Sequence, residues 1–201
     1  MRLLLSIAAS CAALAAASPS LAGTTPGAAA PEFTVGDTSG KAVRLADYRG
    51  KYVVIEWTNP ECPFVQKHYV SGNMQGLQKE WGAKDVVWLA INSTNERSSE
   101  YKSGGQMAAW MRAHDAVPKA TLIDATSATG RAYGAKTTPH MFVIDPSGTL
   151  VYNGAIDDRR SANPADAKTA HNYVRAALTE SMAGKPVSVA TTTPYGCSVK
   201  Y

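Results

Sequence analysis

The sequence predicts an α/β fold, a central mixed β-sheet flanked by helices on both faces. Three observations carry that prediction. Two apolar runs, Tyr52 to Trp57 and Asp85 to Asn92, read as strands covered on both sides. Helical patterns alternate with them, including the stripe Met107, Trp110 and Met111 at intervals of three and four. A hairpin signal follows, Met141 to Asp145, Pro146-Ser147-Gly148 and Thr149 to Tyr152, ahead of a last helical stretch.

Met1-Arg2, the apolar run Leu3 to Ala17 and the small-x-small end Ser20-Leu21-Ala22 have the form of a secretory signal peptide, residues 1–22. Such a segment is short for a bilayer span, so export to the periplasm or beyond is expected, with no stable membrane insertion. Cys11 would leave with it, and Ala8-Ala9-Ser10-Cys11 is a poor lipoprotein box. Residues 23–31, small and Pro-bearing, read as a flexible leader. Residues 32–183 read as one domain, opened by a β extension at Phe33-Thr34-Val35 and Ala42 to Leu45.

After the strand ending at Trp57, Pro63 opens a helix towards Trp81, with a break expected at Ser71-Gly72-Asn73. The next strand ends at Asn92, and a helix is expected from Ser98 to His114. Ala120 to Ile123 is a short strand and Thr126 to Tyr133 a short helix. The hairpin and a helix from Ala165 to Ala183 complete the domain, leaving residues 184–201 as a tail that carries Cys197.

The net charge is +4, and no basic run with interleaved aromatics occurs, which argues against a nucleic-acid partner. Cysteine usage says more. Without the signal, two cysteines remain, Cys62 and Cys197, in a compartment that permits disulfides. Cys62 stands at a strand-to-helix junction, in "EWTNPECPFVQKHY". There the unpaired N–H groups of a helix start favour a thiolate, which marks a reactive sulfur over an inert core cysteine.

The segment "VVIEWTNPECPFV" resembles the active-site segment of the thioredoxin superfamily, with Cys62 in the place of its nucleophilic cysteine. Glu56 matches the buried carboxylate that helps move a proton there, and "TTPHMFVID" matches the loop whose cis-proline, here Pro139, faces the nucleophile. "LADYRGKYVVIEW" is similar to the redoxin branch, the alkyl hydroperoxide reductase/thiol-specific antioxidant-like and TlpA-like proteins. The resemblance covers about residues 32 to 182 and implies a thioredoxin-like fold. Two departures stand out. Val65 occupies the place of the second cysteine, and the peroxiredoxin Pro-x-x-x-Thr-x-x-Cys is missing, with Ile55 and Asn59 at its Pro and Thr. Thr58, displaced by one residue, is the nearest hydroxyl. The best match is to peroxiredoxin-like proteins with one active-site cysteine.

That resemblance implies a thiol-dependent oxidoreductase without a cofactor. Cys62 would attack a disulfide-bearing protein or a small hydroperoxide, Cys197 would resolve the product, and an external thiol reductant would restore the pair. A permanent Cys62–Cys197 clasp, intermolecular pairing and metal ligation remain open for Cys197. His140 is expected near the Cys62 sulfur, as a charge or a base. His68 is expected to be structural or at the surface, Lys67 solvated, and His114 and His171 uninvolved. A copper carrier using Cys62, Cys197 and His140 or His68, and a non-catalytic interaction module, are the alternatives.

Overall fold

A computed structural model describes residues 24–201. The expected signal peptide and Cys11 lie outside the described residues. Seven strands form one mixed sheet: β1 (Thr34–Asp37), β2 (Ala42–Arg44), β3 (Val53–Trp57), β4 (Val87–Asn92), β5 (Ala120–Ile123), β7 (His140–Ile144) and β8 (Leu150–Gly154). Their order is β2-β1-β5-β4-β3-β7-β8. β3 runs parallel to β4, and β4 to β5, while the remaining neighbours are antiparallel. A separate two-stranded ladder joins β6 (Thr137–Thr138) to β9 (Cys197–Ser198).

The continuous apolar runs do what two-sided burial requires. All five residues of β3 and all six of β4 are buried. Val54, Trp88, Ala90, Met141 and Val143 face one core, completed by Leu77, Met107, Val174 and Leu178 from helices. Val53, Ile55, Trp57, Leu89 and Phe142 face a second, completed by Phe33, Val35 and Leu45 from the N-terminal extension and by Tyr133. Each such side chain contributes about 1.5–3 kcal/mol through burial. Trp57, Tyr133 and Phe142 meet pairwise at ring-centroid distances of 5.2 Å, closing the second core.

Helix boundaries follow local chemistry. The expected break is present: α1 (Pro63–Val70) stops, Gly72 takes φ +75°, and α2 (Asn73–Gly82) starts afresh. α3 (Gly104–Ala113) begins later than the expected Ser98. Ser103 caps it, accepting from Gln106 N while the Gln106 side chain returns to Ser103 N. α4 is Ala128–Tyr133. The last expected helix divides into a 3-10 turn at Pro164–Lys168 and α5 (Tyr173–Met182), because Asn172 caps a new start at Arg175 N. The expected flexible leader is held from Gly27 to Ala30 by backbone hydrogen bonds to Gly148 and Leu150, at the start of β8. The edge of β8 would otherwise be unpaired there.

The tail is also ordered by pairing. Val199 N donates to Lys136 O, Asn95 N to Lys200 O, and the Tyr201 hydroxyl to Ala135 O. It therefore crosses the end of the sheet where β3 leads into α1.

Candidate active site

Cys62 caps α1 without a side-chain hydrogen bond to the helix, and Pro63 follows at a position where no intrahelical N–H is needed. Its sulfur is fully buried. The thiol donates to Thr138 O at 2.9 Å, and Cys197 N donates to the same sulfur at 3.5 Å. The Thr138–Pro139 peptide is cis, as the resemblance implies. Thr138 is opposite Cys197 in the β6–β9 ladder, so one backbone segment meets both cysteines. The two are free thiols, with Cys197 partly exposed. Burial pushes the Cys197 thiol up to about 12, helped by a hydrogen bond to the Cys62 sulfur.

Gly196 makes this approach possible. Its φ is +134°, and a Cβ there would stand 2.0 Å from Thr138 O, far inside contact distance. Only glycine lets the tail lie this close to the cis-proline loop.

Glu56 lies on the same face of β3 as Val54, within the core that also contains Cys62. It is fully buried; Tyr69 OH donates to Oε1 and Trp88 Nε1 to Oε2, each at 2.9 Å. Burial raises the carboxyl to about 7 despite those donors. Thr58 Oγ1 and Gln78 Nε2 neighbour the same carboxyl, yet neither makes a hydrogen bond of good geometry.

His140 is a correction. It pairs with Trp57 across the β3–β7 ladder and stacks on Phe142 at 4.4 Å, on the sheet face opposite Cys62. Strand alternation decides this, since Met141 takes the Cys62 side. Lys136 N donates to His140 Nδ1 and Asn153 Oδ1 lies 2.7 Å from Nε2. Burial lowers its pKa to about 4, so the ring is neutral.

Lys67, expected to be solvated, is a correction too, since it is buried, whereas His68 takes the structural place that was one of its two expected ones. Lys67 Nζ donates to Arg159 O at 2.6 Å and to Asp157 Oδ2 and Tyr195 OH at 3.2 Å. His68 Nδ1 is 2.9 Å from Asn73 Nδ2, and Nε2 is 3.5 Å from Tyr195 OH. Burial, reinforced by the Lys67 charge, lowers His68 to about 3. Asp157 and Tyr195 complete a network that sequence reasoning did not find. The one available signal was Tyr195, two residues before Cys197. Among the described residues, no imidazole is within hydrogen-bond distance of the Cys62 sulfur, whose partners are Thr138 O and Cys197 N. Among the described residues no group of three or more His, Cys, Asp or Glu could hold a metal ion.

The chain is similar to the thiol-disulfide oxidoreductase ResA of Geobacillus thermodenitrificans, 27% identical over 131 residues, 62% of this chain and 66% of that protein. It spans just under two thirds of the length of the curated relatives it matches. A solved conserved protein of Geobacillus kaustophilus superposes with a TM-score of 0.78 at 29% identity, covering 89% of this chain and 93% of that one. The thioredoxin domain of a thiol-disulfide oxidoreductase from Bacteroides vulgatus superposes with a TM-score of 0.52 at 17% identity, over 72% of this chain and 96% of that one. The fold is thioredoxin-like. The AhpC/TSA family model matches residues 26–153. With that match over most of its length, the chain belongs to the AhpC/TSA family.

Proposed function

We propose that this protein is an exported thiol-disulfide oxidoreductase whose working pair, Cys62 and Cys197, comes from opposite ends of the domain. The observation that carries the reading is the approach of Cys197 N to the Cys62 sulfur at 3.5 Å, held by the β6–β9 ladder. The relatives named thiol-disulfide oxidoreductase support it.

In the proposed reaction the Cys62 thiolate attacks one sulfur of a protein disulfide, forming a mixed disulfide and expelling the other sulfur as a thiolate. Cys197 then attacks the Cys62 sulfur. That bond forms as the substrate–Cys62 bond breaks, and the second substrate thiolate leaves, taking up the Cys197 proton. Two electrons pass from the protein's dithiol to the substrate, and an external thiol returns them. Glu56, with its carboxyl at about 7, is suited to exchange a proton during this cycle near neutral pH. Pro139 and Thr138 shape the wall against which the substrate disulfide would lie. A small hydroperoxide is the other candidate oxidant, for which the unpaired Thr58 hydroxyl is the available donor.

Intact-mass alkylation of the reduced protein, with and without Cys197→Ser, tests the reading. With a model protein disulfide, the parent should end as a Cys62–Cys197 bridge and the variant should stall as a mixed disulfide at Cys62. If one equivalent of hydrogen peroxide acts faster and leaves sulfenic acid in the variant, the substrate is a peroxide. A variant whose Cys62 reacts with neither, while the parent does, refutes Cys62 as the nucleophile. Export is tested by the mature N-terminus, expected after Ala22.

A further inference from the structure

Cys62 is closed off from solvent, with the cis-proline loop and the tail both against its sulfur, so a substrate disulfide reaches it only when one of them moves. What seats the tail is therefore part of the chemistry. β9 has two residues, and beyond it Val199, Lys200 and Tyr201 bond to Lys136, Asn95 and Ala135 at the surface end of the tail. On the other side of β9, two residues earlier, Tyr195 makes the attachment that is built from buried charge.

Lys67 comes from α1, the helix that Cys62 caps. Its ammonium has three N–H donors, and its near acceptors are Arg159 O, Asp157 Oδ2 and Tyr195 OH, with Asp157 Oδ1 farther off at 3.5 Å. The Tyr195 hydroxyl in turn donates to Asp157 Oδ1, which also accepts from Arg159 N at 3.0 Å. His68 approaches the same hydroxyl, and Phe64 meets the Tyr195 ring edge-on at 5.9 Å. The side chains of Lys67, Asp157 and His68 are at most 1% exposed. Without Tyr195 the ammonium keeps Arg159 O and the Asp157 carboxylate and loses one of its three near acceptors. Removing the phenol leaves a buried charge short of a partner, a costly state.

We propose that Lys67, Asp157 and Tyr195 form a latch that seats the C-terminal tail over Cys62, and that release of the Tyr195 hydroxyl governs access of disulfide substrates to that sulfur. Tyr195 is then a positioning residue, acting through the tail. Its hydroxyl couples the active-site helix to the segment that carries Cys197, so the sulfur is uncovered and its partner withdrawn in one movement. Substrates would meet Cys62 in the open form and Cys197 would return to resolve them.

The consequence for turnover rests on the oxidoreductase reading, but the latch can be tested without it. In the full chain with Cys197→Ser, reduced, the rate at which a bulky maleimide labels Cys62 reports tail opening, read at the Cys62 peptide by mass spectrometry. Tyr195→Phe keeps the ring against Phe64 and removes the hydroxyl. It should speed labelling about tenfold, the effect of losing one hydrogen bond to a charged network. Val43→Ala, a change in the second core on β2, the edge strand at the far side of the sheet, serves as a destabilised control. It should leave labelling within about twofold of the parent at a temperature well below unfolding. Unchanged labelling in Tyr195→Phe, or an equal rise in Val43→Ala, overturns the latch. Failure of the Cys62–Cys197 bridge to form would instead defeat the oxidoreductase reading and leave the labelling result standing.

Discussion

Replacing Glu56 with Gln should change how stability depends on pH, in a direction and size that the site's structure dictates. Burial holds the Glu56 carboxyl at about 7, against an ordinary value of 4.5. In the unfolded chain the group ionises near its ordinary value. Between those limits the folded protein binds a proton that the unfolded chain has released. Stability from this group is fully present below about 4.5 and is lost as pH rises towards 7. At about 1.4 kcal/mol per unit, the loss is roughly 3 kcal/mol. Gln is a fair neutral substitute, since its carbonyl can accept from Trp88 Nε1 while Tyr69 OH turns to Met111 Sδ, 3.8 Å away. Two buried histidines act in the opposite sense. His68 and His140 are neutral in the fold, with values of about 3 and 4, and are protonated in the unfolded chain below 6.5. The parent alone therefore gains stability as pH rises from 4.5 to 6.5, and the Glu56 effect is isolated only by difference. Urea unfolding of both proteins from pH 4 to 8 is the assay. The stability of Glu56→Gln minus that of the parent should rise by about 3 kcal/mol across the range and level off above pH 7. A flat or falling difference would refute a neutral, buried Glu56.

Other substitutions probe the tail and the remaining buried charges. Gly196→Ala puts a Cβ 2.0 Å from Thr138 O at φ +134°, so β9 should leave the cis-proline loop. Formation of the Cys62–Cys197 bridge under a diamide pulse should slow about tenfold or more, from a backbone cost of 1–3 kcal/mol; an unchanged rate would mean the tail pairs otherwise. His68→Gln should remove about 1.4 kcal/mol per pH unit from the acid-side loss of stability below 6.5, because one fewer buried imidazole must charge. Identical pH profiles would place His68 in contact with water. Lys67→Met should destabilise by about 3–5 kcal/mol in urea, since it leaves the Asp157 carboxylate buried without its cation. A loss below about 1 kcal/mol would show the pair to be solvated.

Where pattern and chemistry act within one segment, the sequence was sufficient. The covered strands β3 and β4, the helix break at Gly72, the cis-proline at Pro139 and the buried Glu56 were all legible from apolar runs, turn residues and the thioredoxin-like segment around Cys62. His140 shows the first limit. Its distance in sequence from Pro139 suggested a place at the sulfur, but strand alternation turned it through the sheet, and the residue beside it, Met141, faces Cys62's core. Lys67 shows the second. A lysine on a helix is solvated by default, and only Asp157 and Tyr195, brought from 90 and 128 residues away, make its burial possible. Cys197 was singled out as a partner for Cys62 because two cysteines remained. How it gets there was decided by contacts the sequence does not display: Gly196 against Thr138 O, and a two-residue ladder to the cis-proline loop. Local patterning is written in neighbours along the chain. Burial of a charge and approach of a tail depend on partners from distant elements, which exist only once the sheet has brought them together.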